Sequence, residues 1–199
     1  MFHYINIRSL TDKAKVVRYI FESNKEFYSL FGKSKNEICL DFCDMINDKR
    51  TEEFNSKAIF LNNNLIGAIS FYDSDEIYLR QIFSLNYLQY KSPIETNIIS
   101  SFSNDVPKIK NKSLYLSRIA ISDEFQGKGY STEVLMYLEE EAKQCGYNLI
   151  SLHVHSNNEK AILIYKKYGF VLENDQHMYY VMEKKLNEII DTKGTENVK

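Results

Sequence analysis

Between Ser113 and Met182, strand-like and helix-like stretches alternate, and a chain patterned this way has few folds open to it. Ser113 to Ile121 reads as a strand, with Leu114, Leu116, Arg118 and Ala120 on one side and Tyr115, Ser117, Ile119 and Ile121 on the other. The turn Ser122 to Gly129 feeds a helix that places Val134, Leu135, Leu138, Ala142 and Cys145 on one face and stops at Gly146. Leu149 to His155 is the next strand. Ser156-Asn157-Asn158-Glu159 fits a capping box for another helix, with Ala161, Ile162, Ile164, Tyr165 and Tyr168 as its apolar positions and Gly169 as its stop. Phe170 to Leu172 and Met178 to Met182 are closing strands. Strands alternating with helices imply an α/β sheet with at least one parallel pair.

The first half is less regular. Phe2 to Arg8 reads as a strand, and Thr11-Asp12 opens a helix carrying Val16, Val17, Ile20 and Phe21 at helical spacing. A second helix is expected from Lys35 to Asn47, with Ile38, Phe42 and Met45 on its buried side. Ala58 to Leu61 and Leu65 to Tyr72 form a hairpin through Asn62-Asn63-Asn64, because asparagine tolerates the positive φ of a tight turn. From Asp73 to Lys112 the pattern offers a helix over Glu76 to Tyr90, then Pro93, a polar stretch and Pro107. Rich in Tyr and Phe, this region is either a helix packing its aromatics into the core, the favoured reading, or an insertion covering a binding site.

At 199 residues the chain suits a single domain, taken as 1–186, with 187–199 a polar tail. Lys and Arg number 25 against 27 Asp and Glu, a net charge of -2 that gives no global attraction to nucleic acid or an anionic membrane. No stretch approaches the roughly 20 apolar residues of a membrane span. The opening Met1-Phe2-His3-Tyr4-Ile5 lacks the basic-then-apolar pattern of a signal peptide, and the three cysteines, Cys39, Cys43 and Cys145, make no disulfide framework. A cytoplasmic location is the expectation.

Only 7 glycines and 2 prolines occur, so Gly127 and Gly129, two residues apart between a strand and a helix, stand out. Gln126-Gly127-Lys128-Gly129-Tyr130-Ser131 is an arrangement that binds pyrophosphate: glycines let the backbone approach, and unpaired N–H groups of the first helical turn point at the anion. Lys128 supplies a nearby cation. A nucleoside-triphosphate loop needs Gly-Lys-Ser/Thr, but Gly129 follows Lys128, and the third glycine of the dinucleotide fingerprint is missing.

With these residues the sequence resembles the GNAT superfamily of N-acetyltransferases. The family's Gln/Arg-x-x-Gly-x-Gly/Ala motif matches Gln126 to Ser131, with Ser131 departing from the usual Gly or Ala. The strand Leu116 to Ile121 and the run Asn158-Glu159-Lys160-Ala161 through Tyr165 to Gly169-Phe170 also look like the family, and the resemblance is clear over 113–185. It implies a mixed, mostly antiparallel α/β sheet, splayed near its middle and flanked by helices on both faces. It implies acetyl-CoA as cosubstrate and transfer of the acetyl group to a primary amine by direct attack, with no covalent enzyme intermediate; the histidine spacing gives no metal as the expectation. The alternative is an acyl-CoA-binding regulatory domain without turnover; a third reading is a protein-interaction module that keeps only the fold.

By that resemblance the backbone of Ile119, Ala120 and Ile121 pairs with the pantetheine arm. Gln126, Gly127, Lys128, Gly129, Tyr130 and Ser131 hold the pyrophosphate, and Asn158 contacts the cofactor. Tyr165 matches the family's general-acid tyrosine, and the N–H of Ile119 faces the developing charge on the acyl oxygen. His153 is the candidate base, expected to titrate near neutrality, with Tyr115 or water in competition. His153 and His155 are two ligands where zinc takes three or four. The acceptor is a small-molecule or protein amine, to be recognised by the N-terminal helices and the 73–112 region. A homodimer is a family-based expectation.

Overall fold

The computed structural model describes residues 1–90, 92–93, 106–174 and 178–186, so the expected tail 187–199 lies outside the described residues. One seven-stranded sheet organises the chain, in the order β1 (Phe2–Asn6), β2 (Ser56–Leu61), β3 (Asn64–Asp73), β4 (Leu114–Ile121), β5 (Leu149–His155), β7 (Tyr179–Lys185), β6 (Val171–Asn174). Every neighbouring pair is antiparallel except β4–β5, the parallel pair that the alternation of elements required. Asn62 takes the positive φ of the β2–β3 hairpin at 56°.

Among the described residues, six helices cover the two faces. Helices α1 (Ala14–Glu22), α2 (Lys25–Ser29), α3 (Lys35–Met45) and α4 (Ile77–Gln89) build one layer, with Val16, Ile20, Tyr28, Ile38 and Phe42 fully or almost fully enclosed in its core. Helices α5 (Tyr130–Gln144) and α6 (Glu159–Lys167) build the other, where Val134, Leu135 and Leu138 pack with Ile150, Leu152 and Met182. Adjacent residues of β2 divide between the layers: Ala58 goes to the first core and Ile59 to the second, as period-two geometry demands. Burying each large apolar side chain contributes about 1.5–3 kcal/mol, so both faces are firmly held.

Local expectations differ from the structure at four places. Helix α2 carries no strong periodicity in five residues and was not legible. Cys145 is exposed at the C-cap of α5 instead of lying on its buried face, since the helix ends one residue earlier. Asn158, not Ser156, caps α6: its Oδ1 accepts from the Ala161 N–H at 3.1 Å. Helix α4 buries Ser84, Leu85 and Leu88, and its aromatics divide: Tyr87 packs partly buried against that core while Tyr78 is exposed.

What positions the site is the failure of β4 and β5 to stay together. They pair only through Leu114↔Ile150, Tyr115↔Ser151 and Leu116↔Leu152. On the other edge of β4 the register with β3 passes from Ser70↔Arg118 to Phe71↔Leu116, leaving Ser117 as an extra residue, and such a bulge bends its strand. Strand β5 stays on β7 from Leu149 to His155. The two strands therefore part beyond Leu116, and the β5-facing edge of Ser117 to Ile121 is left open.

Candidate active site

A cleft of about 1710 Å³ fills the gap. Its walls are β4 from Leu116 onward, the turn after it, the first turn of α5, the end of β5 and helix α6. Ile119, Ala120, Ile121, Gln126, Gly127, Gly129, Tyr130, Ser131, Asn158, Tyr165 and His153 all line it. Lys128 does not; its Nζ sits 5.1 Å from the ring centre of Phe125, which does.

At one end, Gly129 precedes α5 with φ 80° and ψ 0°, a left-handed conformation that a side chain resists. Thr132 N–H bonds back to the Gly129 carbonyl at 3.0 Å. The amides from Gly127 to Ser131 have no backbone partner among the described residues, which leaves several donors beside the positive end of a 15-residue helix.

Gln126 lines the cleft and is also hydrogen-bonded within the protein. Its Nε2 donates to the Ile121 carbonyl at 2.9 Å and to Asp123 at 2.8 Å, its Oε1 accepts from Lys160 at 2.7 Å, and its amide bonds to the Asp123 carbonyl. The residue braces β4, the turn and α6 against one another. An open strand edge, a row of unpaired amides and a long cleft together fit a ligand that is itself an amide chain ending in phosphates.

Tyr165 is buried beneath the cleft with its ring 5.6 Å from Phe170. Its hydroxyl makes no hydrogen bond among the described residues, and burial alone raises its pKa, so it stays protonated and able to donate.

Across the gap, Tyr115 and His153 form a bonded pair. His153 Nε2 lies 2.7 Å from the Pro107 carbonyl, which can only accept, so Nε2 carries the hydrogen. Nδ1 is then the acceptor for the Tyr115 hydroxyl at 3.0 Å. Burial pushes His153 down to about 4, away from the near-neutral titration expected of it, and burial raises Tyr115.

Sequence reasoning missed a charged cluster beside this pair. Arg118, two residues before Ala120 on β4, donates from Nη2 to Glu52 at 2.8 Å and to Glu53 at 3.2 Å. Glu52 also accepts from Tyr72 at 2.6 Å and from Ser117 at 2.7 Å, and Ser84 donates to Glu53 at 2.8 Å. Burial opposes the charge on Arg118, but Tyr28, Glu52 and Glu53 outweigh it and hold the guanidinium cationic; burial raises Glu53 against the pull of Arg118. A charged arginine next to Ser117 within the otherwise apolar strand was the available signal.

A sheet parted at its parallel pair, with unpaired amides at a helix start on one wall and a buried tyrosine under the other, is the frame of this site. The chain belongs to the Acetyltransferase (GNAT) family, whose pattern it matches over residues 17–170. It is 31% identical over 68 residues to YdgE, an uncharacterized N-acetyltransferase of Bacillus subtilis, a match covering 34% of this chain and 43% of that protein. The chain spans less than half the length of the curated relatives it matches. Among solved structures, an N-acetyltransferase from Staphylococcus aureus Mu50 superposes with a TM-score of 0.65 at 21% identity, over 92% of this chain and 99% of that one. The PaiA N-acetyltransferase of Thermoplasma acidophilum, solved in complex with coenzyme A, superposes at 0.54 with 20% identity, over 93% and 98%. These two likenesses speak for the fold. No helix among the described residues is long and apolar enough to cross a membrane.

Proposed function

We propose that the protein is an acetyl-CoA-dependent N-acetyltransferase that moves an acetyl group to a primary amine by direct attack. The observation that carries this is the open edge of β4 beyond Leu116↔Leu152, lying next to the unpaired amides of Gly127 to Ser131. Bound there, acetyl-CoA would supply an activated acyl group as a thioester. The backbone of Ile119 to Ile121 takes the amide arm, with the Ile119 N–H facing the acyl oxygen, and the amides of Gly127 to Ser131 take the pyrophosphate. Asn158 spends its Oδ1 on the helix cap and keeps its Nδ2 for the ligand. Lys128 acts on the phosphates as a nearby cation from outside the cleft wall.

Protons move in two places. An alkylammonium, with a pKa of about 10.4, loses its first proton to solvent on entering. The nitrogen bonds the acyl carbon as the carbon–sulfur bond breaks, and its second proton, now acidic, passes to the Tyr115 oxygen while Tyr115 hands its own to His153 Nδ1. Tyr165 donates to the sulfur as it leaves; a thiol ionises near 8.5 in water, so most of the benefit lies in the hydrogen bond rather than in full transfer from so weak an acid.

The test is release of free thiol from acetyl-CoA with a panel of amines, alongside calorimetric titration of CoA. Release with at least one amine is expected. Binding without release on any amine would leave a CoA-binding regulatory domain, and no binding would remove the ligand assignments together.

A further inference from the structure

A second, small cavity of about 80 Å³ opens off the same strands, and Ser117, Arg118 and His153 line both it and the cleft. An amine held in it would stand beside the Tyr115–His153 pair and at the bulge where β4 leaves β5. The polar groups of its wall divide into those already satisfied and those that are not.

The carboxylates are satisfied. Glu52 takes Tyr72, Ser117 and Arg118, and Glu53 takes Ser84 and Arg118. They have little left to offer an ammonium group or a chain of them. The unspent groups are donors. Arg118 uses only Nη2, its enclosed Nε has no partner, and the fully buried Tyr28 hydroxyl has none either. Tyr28 lies under the guanidinium, 5.4 Å from ring centre to Cζ. A buried donor without an acceptor costs roughly 1–3 kcal/mol, a penalty that an incoming oxygen would relieve.

That oxygen is uncharged, because a further carboxylate would be set against Glu52 and Glu53 with a single guanidinium between them. Phe27, Leu85, Leu88 and Val106 give the wall its apolar part, and Asn24, Gln81 and Tyr179 add uncharged polar groups. Water takes about 30 Å³ in the liquid, so the space admits only a short group.

Resting on the acetyl-transfer reading, we infer that the acceptor is an amine whose neighbouring carbon bears an uncharged carbonyl and a short side chain. This is the chemistry of an amino-acid amide or of a peptide N-terminus. Arg118 and Tyr28 read the carbonyl.

Thiol release is measured with alaninamide, an alanine-initiated tripeptide, alanine, propylamine and spermidine, for the wild type and for Tyr28→Phe and Arg118→Lys. Alaninamide or the tripeptide is expected to exceed propylamine, alanine and spermidine in kcat/KM by about tenfold or more, the worth of a hydrogen bond to a charged group. Which of the two leads tells a free amide from a peptide. In Tyr28→Phe the KM for the better acceptor rises several-fold while CoA affinity stays put. The melting temperature of that variant holds or climbs, because the lost hydroxyl had no partner; this keeps the test open even where Arg118→Lys fails to fold. Spermidine, propylamine or alanine equal to the amides, or an unmoved KM in Tyr28→Phe, overturns the inference and leaves acetyl transfer standing. No thiol release with any amine, despite CoA binding, overturns both.

Discussion

Tyr165 and His153 are each defined by where burial leaves their protons. The Tyr165 hydroxyl has nothing to bond within the described residues, and the proposed role turns it toward what enters the cleft. Tyr165→Phe is expected to lower kcat by about 10²-fold with CoA affinity unchanged, read by thiol release and calorimetry; full activity across the amine panel would remove the proposed acid. His153 is held neutral, at about 4 against an ordinary 6.5. A histidine whose folded value is depressed contributes stability that is fully present above 6.5 and is lost as pH falls toward 4, because the unfolded chain takes up the proton first. Between those limits the loss is on the order of 3 kcal/mol, and His153→Gln is expected to flatten urea-unfolding free energies across pH 7 to 4. The residue type was visible in the sequence, but its titration was not, since that depends on the Pro107 carbonyl and on enclosure by distant segments.

At the scale of elements, the turn before α5 and the close packing of β4 on β3 set the site, and two glycines test them separately. A Cβ on Gly129 would meet nothing within 4 Å, so Gly129→Ala costs only the left-handed conformation, about 1–2 kcal/mol, and is expected to weaken CoA binding by disturbing the amide row. A Cβ on Gly67 would fall 2.1 Å from the Ala120 carbonyl oxygen. Gly67→Ala must push β4 off β3, and a loss of 1–3 kcal/mol in chemical denaturation is expected together with weaker CoA binding. Gly129 could be singled out from its neighbours in the chain; Gly67 could not, because the crowding comes from a strand more than fifty residues away.

Over the whole molecule, two helical layers clamp a sheet that is deliberately left unpaired at its centre, and a ligand bridging the gap should tighten both. CoA at a hundred times its dissociation constant adds about 2.7 kcal/mol to stability, which for a chain of this size corresponds to a rise of roughly 5–10 °C in melting temperature. No shift at saturating CoA would contradict ligand binding at the split. The alternation from Ser113 to Met182 determined the α/β class, the parallel pair and the ordered motifs around Gln126, Asn158 and Tyr165, because strand and helix periods, caps and glycine turns are written within a few neighbouring residues. Only the tertiary structure decided that Glu52, Glu53 and Tyr28 meet Arg118, that Gln126 ties β4 to the turn after it, and that Tyr115 donates to His153. Those contacts join segments far apart in the chain, and burial, which sets their charges and their unpaired donors, belongs to no local stretch.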